Sequence, residues 1–234
     1  MTQVMLKTSA ITLFFAFVIF SYGLTVFGFA FPKVMADLSV SLGAHNAAGM
    51  YFERVWERDE TPENLYFTLD RYILAQNHRK IIQFGDRFFA LSQPTQDDII
   101  VEANKQWEER ARASLPATDR RYNLVAWANE SSRIKTAYIV ALMRTGKTSD
   151  AFLKLDAWLL ETPDVRHPNH AFIVAFRIDD TAKGRLETYV TELTKDSGRV
   201  TSIYALDFLW EAHALLGDPE TAQTYARLFY EHTL

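Results

Sequence analysis

The chain has 234 residues, with 25 Lys and Arg against 29 Asp and Glu, six His and no cysteine. A net charge of −4 argues against nucleic acid as the main partner. The lack of cysteine excludes a disulfide framework, a thiolate metal site and a cysteine nucleophile.

Thr8–Pro32 is a run of 25 residues without a charge between Lys7 and Lys33. As a helix it would cover ~37 Å, more than the ~30 Å hydrocarbon core of a bilayer. Thirteen of its residues are Leu, Ile, Val or Phe, favouring insertion by at most ~4–8 kcal/mol. The run predicts a single membrane anchor over 1–32. A cleavable signal peptide is the rival reading, with Val34-Met35-Ala36 as its passable cleavage site, but its apolar region should be shorter. The α-amino group and Lys7 precede the span and Lys33 stands alone after it. That leans to an extracytoplasmic domain on a single-pass membrane protein. Ser21, Thr25 and Gly28 share one helix face, a small-residue stripe through which another membrane helix could pack.

The remaining residues, 33–234, carry 24 cations once Lys7 is set aside, against 29 anions, a balance of −5. Few Gly and Pro, with apolar residues recurring at helical spacing, predict an all-α domain. Lys33–Leu42 ends at Gly43, and Asn46–Arg58 follows, with Met50, Tyr51, Val55 and Trp56 inward and Glu53, Arg54 and Glu57 outward. Thr61-Pro62-Glu63 starts Asn64–Ala75, and Gln76-Asn77 separates it from His78–Leu91. Ser92–Thr95, with Pro94, reads as a break and candidate hinge opening an irregular segment, 92–132. Gln96–Leu115 carries Ile100, Ala103, Trp107 and Ala111 on one stripe, and Arg120–Asn129 forms a further helix.

Repeat signals run through this pattern. The turns at Gly43 and Asn77 lie 34 residues apart, and YFERVWE at 51–57 echoes FGDRFFA at 84–90. Arg133–Pro163 resembles a tetratricopeptide repeat: Tyr138 and Leu142 on a first helix, Gly146 at the turn, Ala151, Leu155 and Trp158 on a second, then Pro163. Lys135 replaces the large residue usual at the start of that pattern. Ile203–Tyr230 is similar, with Leu206, Leu209 and Trp210, then Gly217-Asp218, Ala222, Ala226 and Phe229. Gly146 to Gly217 is 71 residues, about two repeats, and the hairpin Asn169–Leu193, with Gly184 at the small position, fills the gap. The resemblance implies an α-solenoid of stacked hairpins whose open inner face takes a partner.

Carried onto this chain, the groove-lining positions of the family include Arg71, Arg133, Val140, Arg144, Asn169, Phe176, Arg177 and Tyr204. Four arginines on one face could fork onto the carboxylates of an acidic peptide, or pair with acidic neighbours on adjacent hairpins. Other motifs carry less. Gly146-Lys147-Thr148 lacks the earlier glycine and the preceding strand of a phosphate loop. His167 and His170 lack the further ligands of a metal site. Asp179-Asp180 and Glu108-Glu109 point to different helix faces, which suits solvation rather than acid and base work.

The sequence therefore predicts a membrane-anchored, tetratricopeptide-like scaffold without catalysis, cofactor or metal, binding a protein or an acidic peptide and reaching the membrane through residues 8–32. Two other functions compete with it. One is a regulatory subunit acting through its transmembrane helix; the other is a helical hydrolase at the membrane, which would need a buried carboxylate in a cleft.

Overall fold

A left-handed residue that ends one helix and hands over to the next recurs along this chain. In the computed structural model Gly43, Gly146 and Gly217 have φ of +68°, +79° and +84°. In each case the N–H of the following residue bonds back five positions into the helix just ended: Ala44 to the Ser39 carbonyl at 2.8 Å, Lys147 to Leu142 at 2.8 Å, Asp218 to His213 at 2.9 Å. This is the Schellman closure, and a Cβ at its left-handed position is strained. Gln76 makes a related turn with φ +52°. Each turn is followed within two residues by a new helix, so the chain is punctuated at intervals near multiples of about 34 residues.

The structure describes residues 18, 21, 26–114, 130–160, 170–195, 200 and 203–233, without the side chains at 107, 108, 110–114, 204 and 233. Every regular element among them is helical: α1 Pro32–Ser41, α2 His45–Arg58, α3 Pro62–Leu74, α4 His78–Phe89, α5 Gln93–Ser114, α6 Glu130–Arg144, α7 Thr148–Leu160, α8 Ala171–Ile178, a 3-10 turn Asp180–Ala182, α9 Lys183–Thr194, α10 Ile203–Leu216 and α11 Pro219–Thr233. The chain divides into two units between Ala75 and Gln76, within the stretch expected to be one array.

In the first unit α2 packs against both α1 and α3. Its buried residues are Ala48, Gly49 and Phe52. Met50, expected inward, is 50% exposed, because Gly49 brings the neighbouring helix in one position earlier. A Cβ on Gly49 would stand 2.7 Å from the Tyr72 ring. The Tyr72 hydroxyl donates to Glu53 at 2.6 Å, so Glu53 also turns toward the protein. Thr61 caps α3 by accepting from the Asn64 N–H, and Pro62 occupies the first helical position, where its missing N–H costs nothing.

Before α1 the chain is helical over 26–30 and then breaks at Phe31 (φ −127°, ψ 62°). Pro32 has no N–H, so the last carbonyls before the break need other donors. Arg58 supplies them, bonding the carbonyls of Phe29 and of Ala30, the latter at 3.2 Å. The Arg54 guanidinium lies 4.2 Å from the Phe29 ring centroid.

In the second unit α6 and α7, α8 and α9, and α10 and α11 follow one another in chain order. The first helices touch in the order α6, α8, α10, and α7 touches α9. Ala151, Leu155 and Trp158 on α7, Leu206 and Leu209 on α10, and Ala222 and Phe229 on α11 are buried as expected. Gly184 is not a point of close approach, since a Cβ there would meet nothing within 4 Å. The anticipated break at 92–95 is instead the first turn of α5, where Pro94 is tolerated, and 93–114 is one helix. The helix expected over 120–129 lies outside the described residues. On α4, Ile81, Ile82, Phe84 and Phe88 are buried, each contributing about 1.5–3 kcal/mol by leaving water.

Candidate functional site

A concavity in the second unit follows from how α6 is seated. Gly85 on α4 admits the ring of Tyr138, which draws α4 and α6 together. The turn at Gly146 then folds α7 back onto α6. Between α4 and α7 this leaves a cleft whose floor is the Ser131, Ile134, Lys135, Tyr138 and Leu142 line of α6. It comprises two recesses of about 200 and 370 Å³, which share Lys154 and Ala157 on α7.

Aromatic rings organise the smaller recess. Phe89 contacts Tyr138 edge-on at 5.1 Å and Trp158 at 5.5 Å between centroids. The Lys154 amine is 6.0 Å from the Phe89 centroid and 5.9 Å from that of Tyr138, and the Lys135 amine is 5.0 Å from that of Trp158. Lys135, which departs from the repeat pattern, therefore still covers the tryptophan, with its stem and charge in place of a ring. Among the described residues the recess is otherwise lined by Phe88, Gln93, Gln96, Ile100, Ser131 and Ile134, with no carboxylate. Among the described residues no carboxylate lies within 4.0 Å of the Lys154 amine. The larger recess adds Asp86, Lys147, Asp150 and Leu153. Asp86 accepts from the Tyr138 hydroxyl, and burial, then that bond, hold the phenol well above its usual range. Tyr138 stays a neutral donor.

The residues expected to line a groove are placed differently. Arg133, Val140 and Arg144 lie on α6 but about two residues, roughly 200°, away from the cleft line, on the opposite side of the helix. Arg133 is engaged with Glu130, its Nε 2.9 and 3.1 Å from the two carboxylate oxygens, and Glu130 is only 2% exposed. Arg177 on α8 bonds Glu211 on α10. Arg71, in the first unit, pairs with Asp70 at 3.0 Å. Three of the four arginines thus have acidic partners, and Arg144 is exposed at the end of α6. Phe176 is half-buried. Asn169, and the side chain of Tyr204, lie outside what is described.

His170, at the start of α8, sits edge-on to Phe208 at 5.5 Å and 3.8 Å from Glu211. Burial lowers its pKa and raises that of Asp207. Among the described residues no group of three or more metal ligands comes together; His167 lies outside them. Among the described residues the most buried carboxylates, Glu130 and Asp70, are both ion-paired and neither lines the cleft.

Of the membrane stripe, Gly28 is buried against Tyr51 of α2, so closely that a Cβ on the glycine would stand 2.7 Å from the ring. Thr25 lies outside the described residues, as does most of 8–25. No described helix is long and apolar enough to cross a membrane.

The adjacent pair Phe88-Phe89 was a sequence signal for the cleft. Two neighbouring rings on a helix point about 100° apart, so Phe88 packs in the core at the edge of the recess while the half-buried Phe89 meets Tyr138 and Trp158 in it. Comparison with protein-family models, curated proteins and solved structures found no match.

Proposed function

We propose that the chain is a membrane-tethered helical-hairpin scaffold of tetratricopeptide-like design, whose second unit holds an extended peptide in the cleft along α6. The charge-free run 8–32 supports the tether. The repeating left-handed turns and the neighbour-to-neighbour packing of hairpins support the repeat design.

The observation that carries the reading is the Lys154 recess: aromatic walls, two lysines at its edge and, among the described residues, no carboxylate in its lining, on a chain of net charge −4. The fitting ligand places a carboxylate beside a large apolar side chain. The apolar group fills the recess against Phe89 and Trp158, while the carboxylate meets the Lys154 amine over the rings. One such anchor contributes on the order of 1.5–3 kcal/mol from burial. An affinity near the micromolar range suits a scaffold that must release its cargo.

Binding of the purified protein to an array of short synthetic peptides tests this. The wild type should retain peptides in which Asp, Glu or a free terminus adjoins Phe, Leu or Trp. Lys154→Glu should lose them and Arg144→Glu should keep them. Loss in Arg144→Glu alone would move the site to the arginine side of α6; equal retention by all three proteins would remove it altogether.

A further inference from the structure

The first unit exposes a strip of apolar side chains that its own fold does not cover. Val26, Phe27, Phe29 and Phe31 are 43–54% exposed, Val34 and Leu38 are 54% and 47%, and Leu42 is 73%. Helix α1 buries Pro32, Ala36 and Ser39 against its own unit. Val34, Leu38 and Leu42, spaced by four residues, form the opposite face, with Lys33 and Asp37 along its edge. A folded protein rarely leaves so continuous an apolar strip to water.

The chain itself indicates what covers it. The strip begins within the charge-free run 8–32 and continues past it along α1, and at Phe31–Pro32 the helix is interrupted before α1 starts. The interruption is held in place by Arg58 on the carbonyls of Phe29 and Ala30, with Arg54 over the Phe29 ring. A cation at these carbonyls also complements the negative end of the preceding helix. At ten residues α1 is too short to span, and its face is apolar on one side and charged at the rim. That is the pattern of a helix lying in the plane of a bilayer surface.

We infer that α1 is an interfacial helix: Val34, Leu38 and Leu42 enter the boundary between headgroups and acyl chains, with Lys33 and Arg54 at the level of the lipid phosphates. The inference rests on the membrane tether proposed above and adds to it a fixed seat for the first unit on the bilayer surface. Arg54 and Arg58 keep the break at Phe31 rigid, so the unit is held against the surface rather than swinging on a flexible stalk.

The absence of cysteine gives a clean test. Single-cysteine variants Leu13→Cys, Leu38→Cys and Glu63→Cys of the full chain are spin-labelled and reconstituted into vesicles of phosphatidylcholine and phosphatidylglycerol. Collisions with oxygen, which concentrates in lipid, are compared with collisions with a water-soluble nickel chelate. The Leu38 label should collide with oxygen and lose nickel collisions, at a depth between Leu13 (deepest) and Glu63 (in water). If Leu13 is lipid-exposed while Leu38 behaves like Glu63, the interfacial seat is wrong and the tether stands. Should Leu38 be shielded from both reagents, a protein surface rather than lipid covers the strip, and the inference falls. Leu13 and Leu38 both in water would overturn the tether and the seat together.

Discussion

Gly85 on α4 lies beneath the ring of Tyr138 on α6, so closely that a Cβ on the glycine would overlap Tyr138 Cδ2. The contact sets the depth of the cleft, because Tyr138 is both its floor and the donor to Asp86 at its wall. Gly85→Ala should push the ring out and cost about 1–3 kcal/mol, as overpacking does. Tyr138→Phe, which keeps the ring and loses the hydrogen bond to the Asp86 carboxylate, should cost about 1.5–3 kcal/mol. Urea unfolding of the two variants checks both losses; an alanine variant as stable as wild type would contradict this packing.

Arg133 offers a second prediction. Glu130 is 2% exposed and its carboxylate is held by Arg133, so Arg133→Ala takes that cation away from a buried carboxylate, at about 3–5 kcal/mol. Replacing both residues, Glu130→Gln with Arg133→Met, should recover much of that loss. A double-mutant cycle by chemical denaturation reads the coupling. Near-additive losses would mean that Arg133 is not held for stability.

The turn glycines give a third. At φ of +79° and +84°, Gly146→Ala and Gly217→Ala should each lose roughly 1–2 kcal/mol, the cost of a left-handed conformation for an L side chain. Gly184→Ala, exposed in α9 with no neighbour near its Cβ, should stabilise by about 0.5–1 kcal/mol through helix propensity. Thermal melts of the three variants should therefore shift in opposite directions.

A fourth concerns pH. Burial pulls the pKa of His170 below its usual value, with Asp207 and Glu211 opposing. Below about pH 6.5 the unfolded chain takes up a proton that the folded chain refuses, so stability falls as pH drops from there toward the lowered folded value. Asp207 acts in the other direction. Its raised folded value means the folded chain binds a proton more readily as the pH falls further into the carboxylate range, which adds stability there. His170→Asn should flatten the loss as the pH falls below about 6.5, measured as the change in urea midpoint; an unchanged slope would show that His170 is not the group responsible.

Helical periodicity and turn chemistry made the elements legible. The apolar positions of α7, Ala151, Leu155 and Trp158, fall where the repeat pattern puts them and are buried, and Gly146 and Gly217 close their helices with left-handed turns. Proline was less transparent: Pro94 reads as a break, yet at a first turn its missing N–H is no loss, and α5 runs through it. Glycine was read for smallness where its neighbours decide the matter. Gly184 touches nothing, whereas Gly49 and Gly85 each admit a tyrosine ring from another helix, a pairing that no single-sequence pattern contains.

The cleft was missed by a rotation. The arginines of α6 advertise one side of that helix, but ion pairing with Glu130 is what places Arg133 there. The other side is a cleft because α4 and α7 stand apart over Tyr138, a fact of tertiary spacing. The sequence carried only the Phe88-Phe89 pair and the outward Leu153 and Ala157 as hints of it.

The most direct measurement uses the same lack of cysteine. Ala157→Cys places a single thiol where the two recesses meet, and Arg144→Cys places one on the opposite side of α6. Maleimide labelling of each is timed with and without the tightest peptide from the array. The account predicts that saturating peptide slows labelling at position 157 in proportion to occupancy and leaves position 144 unchanged. Protection at 144 with none at 157 would contradict it.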